Sequence, residues 1–128
     1  EGAGITGVIM NSQTVDIFNP KTIRATMGSI FRVPFVYVPE LSPVLTQMHE
    51  KGIHTYAAHL KGKEYYDSFS FREPTAFLIG NEGNGLTKEI SDQSGQYLKI
   101  PMEGKVESLN ASIAAALLMY EAHRQRKL

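Results

Sequence analysis

The residues that first invite a chemical reading lie in "FLIGNEGNGL", where an apolar run ends in Gly80, Gly83 and Gly85 with Glu82 between the first two. Glycine-rich loops that follow strands often cradle phosphates on backbone N–H groups. This loop is badly built for that task. The dinucleotide fingerprint has the order G-x-G-x-x-G, whereas here the order is G-x-x-G-x-G. A P-loop needs Lys directly after its last glycine, and this chain has Leu86 there. The Glu82 carboxylate would also repel a phosphate held by the same donors. An acid among backbone donors suits a cation, a hydroxyl or an amine. The plain alternative is a tight turn carrying a solvated glutamate, and the residues alone do not choose between the two.

A second loop, "PMEGKVESLNAS", precedes an alanine-rich stretch. Ser108 reads as the N-cap of the helix that follows. Asn110 is a poor helix former set just inside that helix. Its amide reads either as a ligand-holding group or as a cap. Other chemistries find less support. His49 and His54 are five residues apart, not the i,i+4 of a metalloprotease helix, and no metal site is read from the histidines. No serine sits in a G-x-S-x-G elbow, so a hydrolase triad is not supported. Arg124, Arg126 and Lys127 end the last helix, where cations complement the macrodipole; a basic patch for RNA is the competing reading.

These loops need elements to hold them. Residues 5–10 read as a short apolar strand. Asn19 and Pro20 then suit the cap and first position of a helix, with Ile23, Met27 and Ile30/Phe31 at helical spacing. "FVYV" (35–38) reads as a strand. Ser42 and Pro43 open a helix that Gly52 closes, and "IHTYAA" (53–58) is the next strand. Residues 60–74 read as a loop with a short turn of helix. "TAFLI" (75–79) is apolar throughout, as a strand covered on both faces should be. A short helix at 86–93 leads to a fifth strand, "YLKI" (97–100). From about Ser108 the chain reads as helical, with an apolar stripe of Leu109, Ile113, Ala116/Leu117 and Tyr120. Strand and helix alternate, which predicts an α/β domain with a mostly parallel sheet. In such sheets ligands bind beyond the carboxyl ends of the strands, where both loops fall.

Bulk properties set the bounds. The 128 residues are most simply one domain, and thirteen Lys plus Arg balance thirteen Asp plus Glu. A nucleic-acid binder often carries excess positive charge, so any such contact here must be local. There is no cysteine, hence no disulfide and no thiolate metal site, which fits a reducing compartment. No apolar run reaches the roughly 20 residues of a membrane span.

Taken together, "FLIGNEGNGL" and "IPMEGKVESLNASIAAALLMYE" closely resemble the second and third motifs of the SpoU/TrmH family, SPOUT-class RNA ribose methyltransferases. "FNPKTIRATMGSIFRVPF" resembles the family's middle segment, so the likeness covers essentially the whole chain. It implies an α/β domain with a deep trefoil knot in its C-terminal half, which no periodicity argument would predict. It implies S-adenosylmethionine as cofactor, held in a bent shape largely by backbone groups. By position, Gly80, Ile100 and Leu109 would line that site, with contributions from Ala58, His59 and Met102. The family transfers a methyl group to a ribose 2′-hydroxyl of ribosomal or transfer RNA. In that setting Glu82 matches the motif-two acid and is expected to orient polar groups around the substrate. Asn110 matches the motif-three asparagine, expected to position the acceptor nucleotide, with Ser108 beside it. The likeness further implies a homodimer through the last helix that completes the site across two chains, a cytoplasmic location, and no requirement for metal or membrane.

One departure stands out. The family's first motif, with an asparagine and a catalytic arginine, lies before the segment corresponding to Ile5. The chain, which opens "EGAGITGVIM", is therefore expected to be the catalytic domain over residues 1–128 without its first strand, first motif or any N-terminal RNA-binding domain. Arg24 and Arg32 lie in the middle segment and do not replace the missing arginine. Arg24 reads equally as a surface helix residue or as an RNA phosphate contact, and Arg32 shares that weaker assignment. The alternative to an enzyme is a non-catalytic cofactor-binding or dimerisation module on the same fold, or a fragment inactive for want of its first motif. The presence of both Glu82 and Asn110 speaks against a degenerate module.

Overall fold

The computed structural model describes residues 1–81 and 83–127. They form two compact units that divide between Leu41 and Ser42. In the first unit β1 (Val8–Met10) lies parallel to β2 (Phe35–Tyr37), with Val8 opposite Phe35 and Met10 opposite Tyr37. Parallel neighbours need a crossover, and α1 (Pro20–Ala25) lies on it. Its start is as expected: the Asn19 side chain accepts the Lys21 N–H at 2.9 Å, and Pro20 holds the first helical position. Its end is not. Met27 and Gly28 take left-handed backbones, with φ of 48° and 91°, and the chain restarts as a 3-10 turn, Ser29–Phe31. Two successive left-handed residues cannot continue a right-handed helix. The expected apolar stripe therefore breaks, and Met27 and Phe31 stand in solvent. Met10 is the one buried residue of this unit among the described residues.

The second unit carries α2 (Ser42–Glu50), β3 (His54–Ala58), β4 (Thr75–Leu78), α3 (Lys88–Gln93), β5 (Gln96–Leu98) and α4 (Ala111–Arg126). Gly52 ends α2 as expected: its φ of 76° lets the Ile53 N–H return to the Met48 carbonyl at 2.9 Å. The strands form a sheet of order β4-β3-β5, parallel throughout. Central β3 buries Thr55, Tyr56 and Ala57 in succession, as a strand covered on both faces does. Its core is Tyr56, Phe71, Leu98, Leu118 and Ala122. Phe71 meets Tyr56 and Phe77 edge to face, each at a centroid distance of 5.0 Å. The architecture is thus α/β with parallel sheets and flanking helices.

Helix α4 turns to the core a face other than the apolar stripe read in the sequence, a stripe whose periodicity does not choose between core and dimer interface. Leu118, Ala122 and Gln125 point inward, while Ile113, Leu117 and Tyr120 are exposed. Alanine supplies apolar surface on nearly every side of this helix, so its periodicity does not select a face. Gln125, buried at the end of α4, had no place in the apolar stripe. Its Oε1 accepts the Phe71 N–H at 2.6 Å, and its Nε2 donates to the Phe69 carbonyl at 2.9 Å. The side chain thereby serves a stretch of extended backbone as a neighbouring strand would. Gln125→Leu keeps the volume but orphans both backbone groups. A loss of about 2–4 kcal/mol is expected in urea unfolding followed by circular dichroism; an unchanged midpoint would show that the two groups find other partners.

Candidate functional site

The candidate site grows from the register of the second sheet. Ala57 lies opposite Leu78 of β4 and Tyr97 of β5, and Ala58 lies opposite Leu98. Parallel strands in this register release the chain at one common edge. Ala58 and His59, Gly80, and Ile100 all lie at or just beyond that edge. The three segments expected to hold a cofactor therefore issue from the same side of one sheet.

The glycine-rich loop after β4 folds back on itself around Asn81. The Asn81 Oδ1 accepts from the N–H groups of Gly83 (2.7 Å) and Asn84 (3.3 Å), and its carbonyl accepts from Gly85 N–H at 2.7 Å. This is the short-range backbone mimicry for which asparagine is selected in turns. Gly80 passes directly against the returning chain: a Cβ there would lie 2.5 Å from both the Gly85 carbonyl carbon and the Leu86 nitrogen. Gly85 has φ 65°, a left-handed backbone. Thr87 then caps α3, its Oγ1 accepting the Ile90 N–H at 3.3 Å. Glu82, the acid that the sequence singles out, lies outside the described residues. Sequence reasoning passed over Asn81, although an Asn directly before a turn is a legible signal.

The segment after β3 wraps the end of β5. His59 N–H donates to the Leu98 carbonyl at 3.0 Å, and Gly62 N–H donates to the His59 carbonyl at 2.9 Å. Gly62 is also closely placed, though less so than Gly80: its Cβ would lie 2.9 Å from the Leu98 carbonyl carbon. Lys99 continues the contact, donating its N–H to the Glu64 carbonyl at 3.0 Å and accepting the Tyr66 N–H at 2.9 Å. The His59 ring stacks on Tyr97 at 4.5 Å, and its Nδ1 accepts the Lys61 N–H at 3.0 Å. The Ala58 methyl packs against the core. Both side chains thus have structural work, and the His59 backbone is itself held by the Leu98 carbonyl and the Gly62 N–H.

The loop after β5 contains Ile100, Met102 and Leu109, all half-buried, and Ser108, exposed. The N-cap of α4 is Asn110, not Ser108. The Asn110 Oδ1 accepts from Ser112 N–H (2.9 Å), Ile113 N–H (3.4 Å) and Ser112 Oγ (2.5 Å). Ser108 stands two residues outside the helix, beyond the reach of the first orphan donors. Of the two readings of Asn110, capping is therefore realised in its carbonyl oxygen. Among the described residues there is no group of three or more His, Asp or Glu side chains able to hold a metal ion. No helix of the described residues is long and apolar enough to cross a membrane.

The sequence profile of the SpoU rRNA Methylase family matches residues 1–120. The chain belongs to this family. A protein of Staphylococcus haemolyticus, named provisionally as a TrmH family tRNA/rRNA methyltransferase, is 34% identical over 126 residues, which is 98% of this chain and 51% of that protein. The SpoU methyltransferase AviRb from Streptomyces viridochromogenes, solved with AdoMet, superposes with a TM-score of 0.90 at 34% identity, over 98% of this chain and 49% of that one. A solved RNA 2′-O ribose methyltransferase gives 0.86 at 33% identity, over 99% and 48%. The chain thus spans about half the length of the curated relatives it matches. The SpoU likeness covers both units, including the first, which holds Arg24 and Arg32. Arg24 is exposed in the last turn of α1. Arg32 donates from Nε to Glu1 Oε1 at 2.6 Å, and Ser29 Oγ donates to Glu1 Oε2 at 2.5 Å. These hydrogen bonds, that of Arg32 first, hold the Glu1 carboxyl down at about 2. The ionised form is the one the fold favours, so this bridge is intact above pH 4.5 and is lost as pH falls toward about 2.

Proposed function

We propose that this chain is the SpoU-type catalytic domain of an S-adenosylmethionine-dependent methyltransferase acting on a ribose 2′-hydroxyl of ribosomal or transfer RNA. The carrying observation is the convergence of the Gly80 and Ile100 loops with the Ala58–His59 turn at one edge of a parallel sheet, in a chain whose family match spans 1–120. The chemistry of that edge fits the cofactor. Half-buried Ile100, Met102 and Leu109 offer apolar surface to an adenine, and the glycine-rich turns offer backbone donors and acceptors to polar edges. When bound, S-adenosylmethionine supplies a methyl group already activated on a sulfonium centre.

The chain's own part is to hold, align and exclude. The Asn81-braced turn fixes the backbone around Gly80. Asn110, rigid through its bonds into the first turn of α4, is assigned to position the acceptor nucleotide, with Ser108 beside it. Glu82 is assigned to orient polar groups around the substrate, as the motif-two acid. The finer fold assignment, a deep trefoil knot formed by the C-terminal half, belongs to the same reading and is supported by the way residues 59–66 wrap β5. So does a homodimer through α4: Ile113, Leu117 and Tyr120 follow one helical face and are exposed. Sedimentation as a single-chain species at all concentrations would sink that assignment. A cytoplasmic location belongs to the same reading.

Calorimetric titration with S-adenosylhomocysteine, the product that cannot react further, tests the cofactor site. Binding near one site per chain is expected. Radiolabelled methyl transfer to RNA is then measured on this chain and on one extended upstream through the family's first motif. Cofactor binding with no transfer by the extended chain would favour the non-catalytic module instead.

A further inference from the structure

The segment from Phe18 to Pro34 holds Lys21, Arg24 and Arg32 and no acid. Three of its large apolar residues stand out in solvent, while Ile23, Ile30 and Val33 are half-buried. Phe18 is 63% exposed, Met27 87% and Phe31 85%. Met27 and Phe31 owe this to the left-handed pair at Met27 and Gly28, which breaks the helix and turns both side chains outward. A non-glycine residue at positive φ is disfavoured, and no packing around the exposed Met27 side chain holds it there. The guanidinium of Arg32 is fixed at the same turn. Glu1 holds its Nε, and its terminal nitrogens lie over Gly28, where a Cβ would be 3.0 Å from Nη1. Those terminal nitrogens have no hydrogen-bond partner among the described residues and remain open to an anion. Arg24 has no ion-pair partner among the described residues either.

Cations interleaved with exposed aromatic and thioether tips are what a single-stranded nucleic acid requires. Phosphates take the charges, and unstacked bases take the rings. A second copy of the chain is a poorer occupant. A two-fold contact would set these same cations against each other, and the acid paired with them, Glu1, is already taken by Arg32. A polyanion complements the patch and a self-contact does not.

We propose that the turn linking α1 to the 3-10 turn is a contact surface for unpaired RNA, in which Phe31 stacks on a base while Arg24 and Arg32 hold flanking phosphates. This rests on the reading that the protein acts on RNA, and it adds the strandedness that the substrate must have at this surface. Met27 flanks the stacking position, and Glu1 orients Arg32.

Fluorescence anisotropy with a short labelled single strand of mixed sequence, and with the same strand annealed to its complement, tests it on the whole chain. Phe31→Ala should weaken single-strand binding roughly tenfold and leave duplex binding unchanged, because one base stack is lost. Phe31→Trp should bind as well as the parent. Arg24→Ala should reduce the slope of log affinity against log salt by about 0.7, the contribution of one single-strand phosphate. Phe31 is so exposed that these variants should melt like the parent. Parent-like single-strand binding by Phe31→Ala, an equal loss on the duplex, or no measurable RNA binding by the chain would each overturn the proposal. A change in sedimentation of Phe31→Ala would overturn it in favour of a self-contact. Titration of the same preparations with S-adenosylhomocysteine separates the two readings. Cofactor binding with no Phe31-dependent RNA effect overturns only this surface, and Phe31-dependent RNA binding without cofactor binding overturns only the methyltransferase assignment.

Discussion

Gly80→Ala is expected to abolish S-adenosylhomocysteine binding and to lower stability by about 3 kcal/mol, toward the upper end of what overpacking costs. A methyl group at this position would sit 2.5 Å from two backbone atoms, the Gly85 carbonyl carbon and the Leu86 nitrogen. Flexible side chains can move aside, but these atoms are fixed by the Asn81–Gly85 hydrogen bond and by the start of α3. The turn must therefore open, which breaks the Asn81 bonds and moves the backbone that is assigned to the cofactor. Displacement by an ångström at such a site is enough to reduce methyl transfer at least about 100-fold. Calorimetry gives the binding and urea unfolding gives the stability. A variant that stays folded and binds the product as the parent does would remove Gly80 from the cofactor site. Gly83→Ala is the milder comparison: its Cβ would meet only the Asn81 Oδ1, at 3.3 Å, a contact that a shift of a few tenths of an ångström relieves.

Asn110→Ser should separate the two duties of Asn110. Serine caps helices about as well as asparagine, so a stability change within about 0.5 kcal/mol is expected. It removes the amide, however, and shortens the side chain. Methyl transfer by the extended chain should fall roughly 100-fold if that amide positions the acceptor nucleotide. Binding of S-adenosylhomocysteine should persist, because the assigned contact is to RNA. Retained stability together with retained transfer would make Asn110 a cap and nothing more. Lost stability would mean that its side chain holds more than the first turn of α4.

The sequence was most legible where local chemistry acts alone. Asn19 and Pro20 start α1 as read, Gly52 ends α2, and all but the last residue of the apolar run at 75–79 forms a strand. It was least legible where a distant partner decides. The inward face of α4 follows Gln125, whose amide is held by backbone more than fifty residues earlier. No helical period announces that. The break after Thr26 depends on two left-handed residues, of which only Gly28 is a type that suggests one. At the site, the sequence draws attention to Gly80 and Asn110, but local pattern does not tell how the fold uses them. A fold-back crossing explains the first and a cap explains the second. Asn81 and Gly62 were missed because their roles need the chain to meet itself.

The Gln125 clamp also bears on how the protein is born. During synthesis Phe71 leaves the ribosome long before Leu118, Ala122 and Gln125, the residues that cover its ring and take its amide proton. Until they emerge, an apolar segment with unpaired backbone stands open, a condition that favours aggregation and chaperone capture. The core of the second unit therefore closes only after α4 has emerged. Its completion waits on the final turn of α4, and an early stop codon that spares every residue of the loops would still leave the core open.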